Sequence, residues 1–324
     1  MWMTRSTFLV LLLTLLYSCE APRDNPMDPQ NPNYNYGRIS GTIKTISLPV
    51  ETIPQTIVKW QGGSELTISN EQGEFEFLLS NPKNGWLNFS HPEFHSDSHF
   101  VNWPDNHELR VEAFLNALPI MDSLFLYSVV LNRFPSFQKE QMIIEAHISD
   151  RDNDIDSVFA IFNDDKKKFH LSYNTTQKNF RQELSILDLG VLSIDELVGE
   201  PINIEVSDLF SNVLSVGQGQ LKRVIHDEVI VLSPLDNMVT GPFPTLVWQS
   251  LQTTYSFHYN LEIYTNEVAP VMVWQRMKIS NDQTTHTIDT ALTEGSYFWV
   301  IWAIDSFGNR TRSKPAAFNV QAEE

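Results

Sequence analysis

The fold is best read from residues 295–309, whose sequence is Gly-Ser-Tyr-Phe-Trp-Val-Ile-Trp-Ala-Ile-Asp-Ser-Phe-Gly-Asn. In an extended chain successive side chains point to opposite faces, so Tyr297 and Trp299 share one face while Phe298 and Trp302 share the other. Both faces are apolar. This pattern predicts a strand at the centre of a sandwich, or one whose outer rings are covered by a neighbouring domain or partner. We favour packing within the molecule.

The region around this strand, residues 225–324, resembles a fibronectin type III module. It opens with an apolar strand at 229–232, followed by Pro234, and reaches Trp248 through a second short strand. In that family an early-strand Trp packs across the sandwich against a Tyr-x-Trp strand near the end, and Trp248 with Tyr297 and Trp299 fits those positions. The resemblance implies an all-β module and says nothing about activity.

Residues 37–119 show short segments that alternate with period two, which predicts strands at 38–43, 55–60, 65–68 and 74–78. Residues 70–73 predict a tight turn in which Gly73 takes the positive φ of hairpin turns. With the closing strand at 107–115, the order resembles the carboxypeptidase regulatory-like domain. That resemblance implies a seven-stranded sandwich, and such domains are usually non-catalytic.

Residues 120–224 predict a third set of strands. Segments 141–150 and 155–161 are interpreted as a hairpin-like pair, and segment 202–208 with the turn-rich residues after it resembles bacterial immunoglobulin-like modules. Segment 185–198 is left open between a short helix and an irregular strand. The predicted fold is therefore all-β, a string of three β-sandwich domains (37–119, 120–224 and 225–324) after a signal peptide and a linker.

The amino terminus carries Arg5, an apolar run at 8–16, and Leu16-Tyr17-Ser18-Cys19, which resembles the lipobox of bacterial lipoproteins. The resemblance implies that residues 1–18 are removed as a signal peptide and that Cys19 is acylated through its sulfur. Residues 19–36 are Pro-rich and predict a tether. The alternative is a buried, idle cysteine in an uncleaved apolar segment. Cys19 is the only cysteine of the chain, which favours lipidation.

Lipidation places the expected location in the bacterial cell envelope, anchored by acyl chains, most simply at the periplasmic or surface face of the outer membrane. The formal net charge of −18 and the pI near 4.8 argue against nucleic acid as a partner. The expected partners are therefore the membrane, through the lipid, and a protein or another component of the envelope. The choice between inner and outer membrane, the leaflet and the oligomeric state stay open.

Asp150, Asp152, Asp154 and Asp156 alternate along one segment, and carboxylates at that density predict a calcium site. It is not an EF-hand loop, because Ile155 stands where that loop needs Gly. The alternative is a solvated turn between strands. A second cluster at 91–99 holds three imidazoles, but ligands strung along one strand lie too far apart for one zinc or copper ion, so we interpret it as a loop.

Catalytic motifs are lacking in the sequence, which has no Gly-x-Ser-x-Gly elbow and no His-Glu-x-x-His, so we predict a protein that is not an enzyme. Trp60, Trp86, Trp103 and Trp274 are candidate exposed aromatics, and Trp103 and Trp274 are the predicted binding residues. The favoured function is a membrane-anchored, non-catalytic structural or interaction lipoprotein. The alternatives are a glycan- or ligand-binding surface lipoprotein of an uptake system and an atypical hydrolase.

Overall fold

The computed structural model describes residues 28, 31, 35–80, 82–103, 108–162 and 167–321, so the predicted signal peptide and Cys19 lie outside the described residues. Strands dominate the described residues, with two helical turns, which confirms the all-β prediction. The chain forms two compact units. The first holds the described residues up to Leu118 together with Arg151–Asn153, and the second holds Pro119–Asp150 and the residues from Asp154 onward.

The first unit is a sandwich of two antiparallel-rich sheets with strand orders β4-β1-β7 and β3-β2-β5-β6. Its described strands are β1 (Tyr36–Thr45), β2 (Ile57–Trp60), β3 (Leu66–Ile68), β4 (Glu74–Ser80), β5 (Gly85–His91), β6 (Phe94–Val101) and β7 (Glu108–Leu115). Strands β1 and β7 pair in parallel, with Arg38 opposite Glu108. Strict alternation buries Phe75, Phe77 and Leu79 of β4 in the core, as period two requires.

The turn at residues 70–73 is confirmed. The Asn70 side-chain oxygen accepts hydrogen bonds from the backbone N–H groups of Gln72 (3.0 Å) and Glu74 (2.8 Å), and Gly73 has φ +70°. A Cβ at Gly73 would lie 2.7 Å from the carbonyl oxygen of Ile43, so glycine is required there. The turn is not a hairpin, however, because β3 and β4 belong to different sheets.

The second unit contains two sandwiches, each with its own core, which we call the middle sandwich (residues 120–224) and the C-terminal sandwich (residues 225–321). The middle sandwich packs sheet β12-β9-β8 against sheet β11-β10-β13-β14, and β11 also pairs with β12. Its strands are β8 (Ile120–Arg133), β9 (Phe137–Ser149), β10 (Ile155–Phe162), β11 (Lys167–Asn174), β12 (Asn179–Ser185), β13 (Pro201–Asp208) and β14 (Val213–Gln220).

The predicted hairpin of segments 141–150 and 155–161 is wrong. These segments are strands, β9 and β10, but β9 pairs with β8 and β12, whereas β10 pairs with β11 and β13. The connection between them crosses from one sheet to the other. Both strands carry buried residues that meet in one core, for example Ile144 of β9 and Val158 of β10. Alternation identifies each strand but not its partner.

The open segment 185–198 is helical. A short helix, α1 (Ile186–Leu189), begins at Ser185, where the Ser185 and Asp188 side chains form a capping box, and a 3-10 helix covers Ile194–Leu197. Leu189, Ile194 and Leu197 enter the core of the middle sandwich. The segment therefore contributes side chains to that core and covers part of it.

The C-terminal sandwich packs sheet β15-β17-β20 against sheet β19-β18-β21-β23, with β16 on the outer side of β23. Its strands are β15 (Val231–Ser233), β16 (Met238–Thr240), β17 (Thr245–Trp248), β18 (Phe257–Thr265), β19 (Met272–Ser280), β20 (Thr285–Thr287), β21 (Gly295–Asp305), β22 (Arg310–Arg312) and β23 (Ala316–Val320). Trp248, Tyr259 and Trp299 are fully buried in its core. The two tryptophans occupy the places that the sequence predicts.

Strand β21 is central, as one of the two sequence interpretations requires, because β18 pairs on one side and β22 and β23 on the other. Its outer rings are covered within the sandwich. Phe298 stacks on Tyr264, with ring centroids 5.3 Å apart, and the Trp302 indole N–H donates to the Glu262 carboxylate (2.9 Å). The apolar outer face is therefore packed within the same sheet.

The two sandwiches of the second unit share one strand order. In each sandwich a three-stranded sheet packs against a four-stranded sheet. The four strands lie in equivalent order in the two sandwiches, β11-β10-β13-β14 in the middle sandwich and β19-β18-β21-β23 in the C-terminal sandwich. This is the immunoglobulin-like and fibronectin type III-like β-sandwich architecture. One sheet of each sandwich joins into a single continuous sheet, because β22 pairs with β21 on one side and with β8 on the other.

Candidate functional site: the junction within the second unit

The junction begins with a turn that occurs twice in the second unit. After β13 the chain runs Asp208-Leu-Phe-Ser-Asn212, and after β21 it runs Asp305-Ser-Phe-Gly-Asn309. In both turns the first Asp carboxylate accepts two backbone N–H groups, from the Phe and the Asn, and the amide of the Asn. The residue before the Asn is left-handed in both turns, Ser211 with φ +66° and Gly308 with φ +89°.

The second of these turns docks on the middle sandwich. Asn309 is fully buried, and its side-chain oxygen accepts a hydrogen bond from the Ser128 backbone N–H of β8 (2.9 Å). Directly after Asn309, β22 adds to β8 as a parallel strand, with Thr311 opposite Val130. The turn therefore fixes the register in which the two sandwiches share a sheet.

Buried amides extend the junction along β8. The Asn132 amide donates to the Thr311 hydroxyl oxygen (3.1 Å) and to the Arg312 carbonyl oxygen (2.9 Å), and its own oxygen accepts from the Gln138 amide (2.9 Å). Each of these groups would cost about 1–3 kcal/mol if it were buried without a partner. The contact is therefore specific in register and in orientation, which a purely apolar contact would not guarantee.

Two arginines add charge and ring contacts. The Arg223 Nε lies 3.2 Å from the buried Asp305 carboxylate, and its guanidinium carbon lies 4.4 Å from the ring centre of Tyr255. On the other side of β22, the Arg310 guanidinium lies 4.5 Å from the ring centre of Tyr127. Stacked guanidinium groups of this kind stabilise by roughly 0.5–2 kcal/mol each.

The linker between the sandwiches is held at several points. The His226 Nε2 lies 2.7 Å from the Asp195 carboxylate, and the His226 carbonyl oxygen accepts from the Gln138 amide (2.8 Å). Further along, the Lys314 ammonium pairs with the Glu228 carboxylate at 3.0 Å. The linker therefore behaves as part of the packed structure rather than as a hinge.

A groove of about 920 Å³ opens beside the junction. Both sandwiches of the second unit contribute to its walls: the middle sandwich provides Phe125 and Tyr127 of β8 and Gln218 and Gly219 of β14, and the C-terminal sandwich provides His258 and Phe307. Gly219 lets β14 lie close to β8, because a Cβ there would be 2.7 Å from the Leu126 side chain. A groove of this size at the contact of two domains is a common location for a ligand.

Burial sets the protonation states of two groups in the groove. Burial and the hydrogen bond donated to Glu145 (2.8 Å) together raise the pKa of Tyr127 to about 12. Burial, with the nearby charges of Lys278 and Arg310, lowers the pKa of His258 below its usual 6.5. Both side chains are therefore uncharged at neutral pH, and both can hydrogen-bond to an uncharged ligand.

The four aspartates predicted to bind calcium are divided between the units: Asp152 belongs to the first unit, whereas Asp150, Asp154 and Asp156 belong to the second. The Asp150 carboxylate accepts from the Asp154 backbone N–H (2.9 Å), and the Asp152 carboxylate accepts from the Ala117 backbone N–H. In the part of the chain that the structure describes, no three His, Cys, Asp or Glu side chains converge as a metal site. The calcium site stays a prediction.

The interpretation of the histidine cluster at 91–99 as a loop is wrong. These residues form the end of β5 and most of β6, and the two strands pair as antiparallel neighbours.

The expected exposure of the tryptophans is corrected for two of them. Trp274 is only 7% exposed, belongs to the core of the C-terminal sandwich, and donates its indole N–H to Asp289 (2.9 Å), while Trp60 is equally buried in the first unit. Trp103 is partly buried, 6.4 Å from Trp60 in an edge-to-face contact, whereas Trp86 is exposed. Large aromatic side chains stabilise a sandwich core because each buries a large apolar area. Ligand binding by Trp103 and Trp274 stays a prediction that their burial disfavours.

The groove and the repeated turn were not predicted from the sequence. Recurrence of Asp-x-Phe-x-Asn at 208–212 and 305–309 was the available signal for the turn. The groove had none, because its C-terminal wall reaches the middle sandwich through the pairing of β22 with β8, which local sequence does not reveal.

No family model matches the chain, and neither does any curated protein. Among solved structures, the chain is similar to the fibronectin(III)-like modules of CbhA from Clostridium thermocellum, with 12% identity and a TM-score of 0.30 over 64% of this chain and 94% of that chain. It is similar to the chicken CNTN1 FN1-FN3 domains, with 8% identity and a TM-score of 0.31 over 84% and 93% of the two chains. It is also similar to BcpA, the major pilin subunit of Bacillus cereus, with 8% identity and a TM-score of 0.28 over 89% and 99%.

These similarities carry no inference about function, and the strand orders described above define the architecture of the second unit. Among the residues that the structure describes, none of the helices has the length and apolar character that a bilayer crossing needs.

Proposed function

We propose that this protein is a lipid-anchored, non-catalytic lipoprotein of the bacterial cell envelope, whose sandwiches hold or bind a protein or envelope partner at a distance from the membrane. The observation that carries the proposal is the junction of the second unit. The two sandwiches form one stiff element because Asn309 is buried between them, they share a sheet, and side-chain contacts hold the linker in place. Stiffness favours a spacer or presenting role, because motion of one domain relative to the next is otherwise the default.

The anchoring part of the proposal is supported by the sequence Leu16-Tyr17-Ser18-Cys19 after an apolar run, and by Cys19 being the only cysteine. Two or three acyl chains on one sulfur and amino terminus hold a protein at a membrane almost permanently, because each buried methylene contributes about 0.8 kcal/mol. The Pro-rich segment 19–36 fits a semi-rigid tether between the lipid and the first unit.

For the first unit we propose the finer assignment to the carboxypeptidase regulatory-like type. Its described strands make a sandwich of three and four strands in which the first and last strands pair in parallel. A non-catalytic accessory role is what that resemblance implies, and it agrees with the proposed function.

The test is Cys19→Ser, expressed in a bacterial host and compared with Ser18→Ala, which keeps the thiol. The parent and Ser18→Ala should incorporate radiolabelled palmitate and remain in the membrane fraction, and their mass should correspond to a chain that starts at Cys19 and carries the attached lipid. Cys19→Ser should show none of these three properties. A bare thiol with the leader attached in the parent chain would refute anchoring, and turnover by the purified protein in a broad hydrolase screen would refute the non-catalytic role.

A further inference from the structure

We propose that the groove beside the junction of the second unit binds a neutral oligosaccharide. The groove holds about 920 Å³, which is enough for several sugar rings, and it lies between two sandwiches that are locked in one orientation. This inference goes beyond the proposed spacer role and uses none of the residues involved in anchoring.

Two half-exposed rings provide the apolar surface. Phe125 of β8 is 49% exposed and Phe307 of the repeated turn is 45% exposed, and they stand on different sandwiches. Covering such rings with a partly apolar surface is favourable because it removes apolar area from water, and the C–H face of a sugar ring is a flat surface of that kind.

Polar groups with unused hydrogen-bonding capacity complete the groove. Within the described residues, no intramolecular hydrogen bond occupies the side chains of Gln218, His258 or Ser306, all of which line it. An amide, a neutral imidazole and a hydroxyl each offer both a donor and an acceptor, as sugar hydroxyls do. His258 is held neutral by the lowered pKa described above.

The charged groups that line the groove are largely engaged with neighbouring side chains, which is the reason for proposing a neutral ligand. Glu145 accepts from the Arg181 Nε (3.1 Å), and Asp305 lies 3.2 Å from the Arg223 Nε. Arg310 covers the ring of Tyr127. A charged ligand would have to displace these contacts, whereas an uncharged polyol would not.

Lys222 is the remaining cation at the rim. Its ammonium contacts the side-chain oxygen of Gln220 in the amide orientation that also lets Gln220 donate to the Gly199 carbonyl (3.1 Å). One solvated cation that is already bonded to an amide gives little selectivity for acidic ligands.

The experiment is isothermal titration of the full chain, purified in a detergent without a sugar headgroup. The neutral probes are cellohexaose, maltohexaose, xylohexaose, mannohexaose and chitohexaose, and the charged comparison is a heparin hexasaccharide. At least one neutral hexamer should bind. Its affinity should fall about tenfold or more in Phe307→Ala and in Phe125→Ala, since central aromatic contacts carry much of the binding free energy and tenfold corresponds to about 1.4 kcal/mol.

The matched control is Phe210→Ala, which removes the same ring from the other copy of the turn, where Phe210 is 63% exposed outside the groove. That variant should bind as the parent does. Gln218→Ala, a substitution on an exposed side chain, provides a second groove variant that does not touch the junction. Melting temperatures establish that each variant is folded.

Failure of every neutral hexamer to bind, or binding of the heparin hexasaccharide alone, would overturn the inference. The groove would be the wrong location if Phe210→Ala and Phe307→Ala weakened the affinity for the hexamer equally. The same conclusion would follow if Phe125→Ala, Phe307→Ala and Gln218→Ala all kept the affinity of the parent. Neither result would bear on Cys19, whose lipidation is measured separately.

Discussion

Asn309→Ala is the sharpest test of the junction. In the folded chain the Asn309 oxygen accepts the Ser128 N–H, and its amide donates to Asp305 at 3.0 Å. The substitution leaves the Ser128 N–H buried without an acceptor, at about 1–3 kcal/mol, and removes a hydrogen bond to a carboxylate, at about 1.5–3 kcal/mol. The Ser128 hydroxyl keeps its bond to the Arg223 carbonyl. We expect a loss of about 3–5 kcal/mol in the free energy of opening the junction.

The matched control is Asn212→Ala, which makes the same change in the other copy of the turn. The Asn212 amide donates to Asp208 at 2.7 Å, but Asn212 is exposed and water can replace it, so the expected loss is about 1 kcal/mol. The difference between the two variants isolates the contribution of docking from that of the turn itself.

Hydrogen exchange measured by mass spectrometry on the peptide that contains Ser128 is the assay. A loss of about 3 kcal/mol corresponds to an exchange rate about 100-fold faster for that amide if exchange occurs by local opening. Should Asn309→Ala and Asn212→Ala raise the rate equally, or should neither change it, the idea that Asn309 locks the two sandwiches together would be wrong.

Three further predictions concern the core, the groove and pH. Gly219→Ala should lower the free energy of unfolding, measured by urea denaturation, by about 1–3 kcal/mol, because the new Cβ would clash with Leu126. Gly217→Ala should lower it by less, because its Cβ would meet only the flexible end of Met121. Trp274→Ala should cost about 3–5 kcal/mol in the same assay as a cavity in a core, and unchanged stability would contradict its burial. Because the folded pKa of Tyr127 is raised to about 12 from 10, its contribution to stability is complete below pH 10 and is lost as pH rises towards 12; absorbance titration at 295 nm should show a late-ionising tyrosine that Tyr127→Phe removes.

Much of the strand content could be predicted because alternation reports which residues face a core. Along strand β4, exposed and buried residues alternate strictly. The two apolar faces of β21 indicated that it could be a central strand, and it pairs with neighbours on both sides. The core role of Trp248 and Trp299 followed from the same reasoning, since only the inside of a sandwich can cover such rings.

Partners could not be predicted, because period two is the same whichever neighbour a strand chooses. Strands β9 and β10 follow one another in sequence yet lie in different sheets, and the turn ending at Gly73 also connects two sheets. The burial of Trp274 depends on its indole N–H meeting Asp289, a contact that spacing does not reveal.

Candidate site residues were harder still. Phe125, Gln218 and Phe307 are far apart in the chain and individually ordinary. Phe307 joins the other two in one groove because a short strand, β22, pairs with the first strand of the middle sandwich. Such a site is created by tertiary pairing, and local sequence carries no trace of it.

The parallel pairing of β8 with β22 also has a mechanical consequence. Strand β8 opens the second unit, and β22 lies close to its end, with Arg310, Thr311 and Arg312 opposite Val129, Val130 and Leu131. A pull on the two ends of the unit therefore slides these parallel strands past each other and loads their backbone bonds together in shear, instead of peeling them apart one at a time. The hydrogen bonds between β8 and β22 therefore resist tension along the chain together.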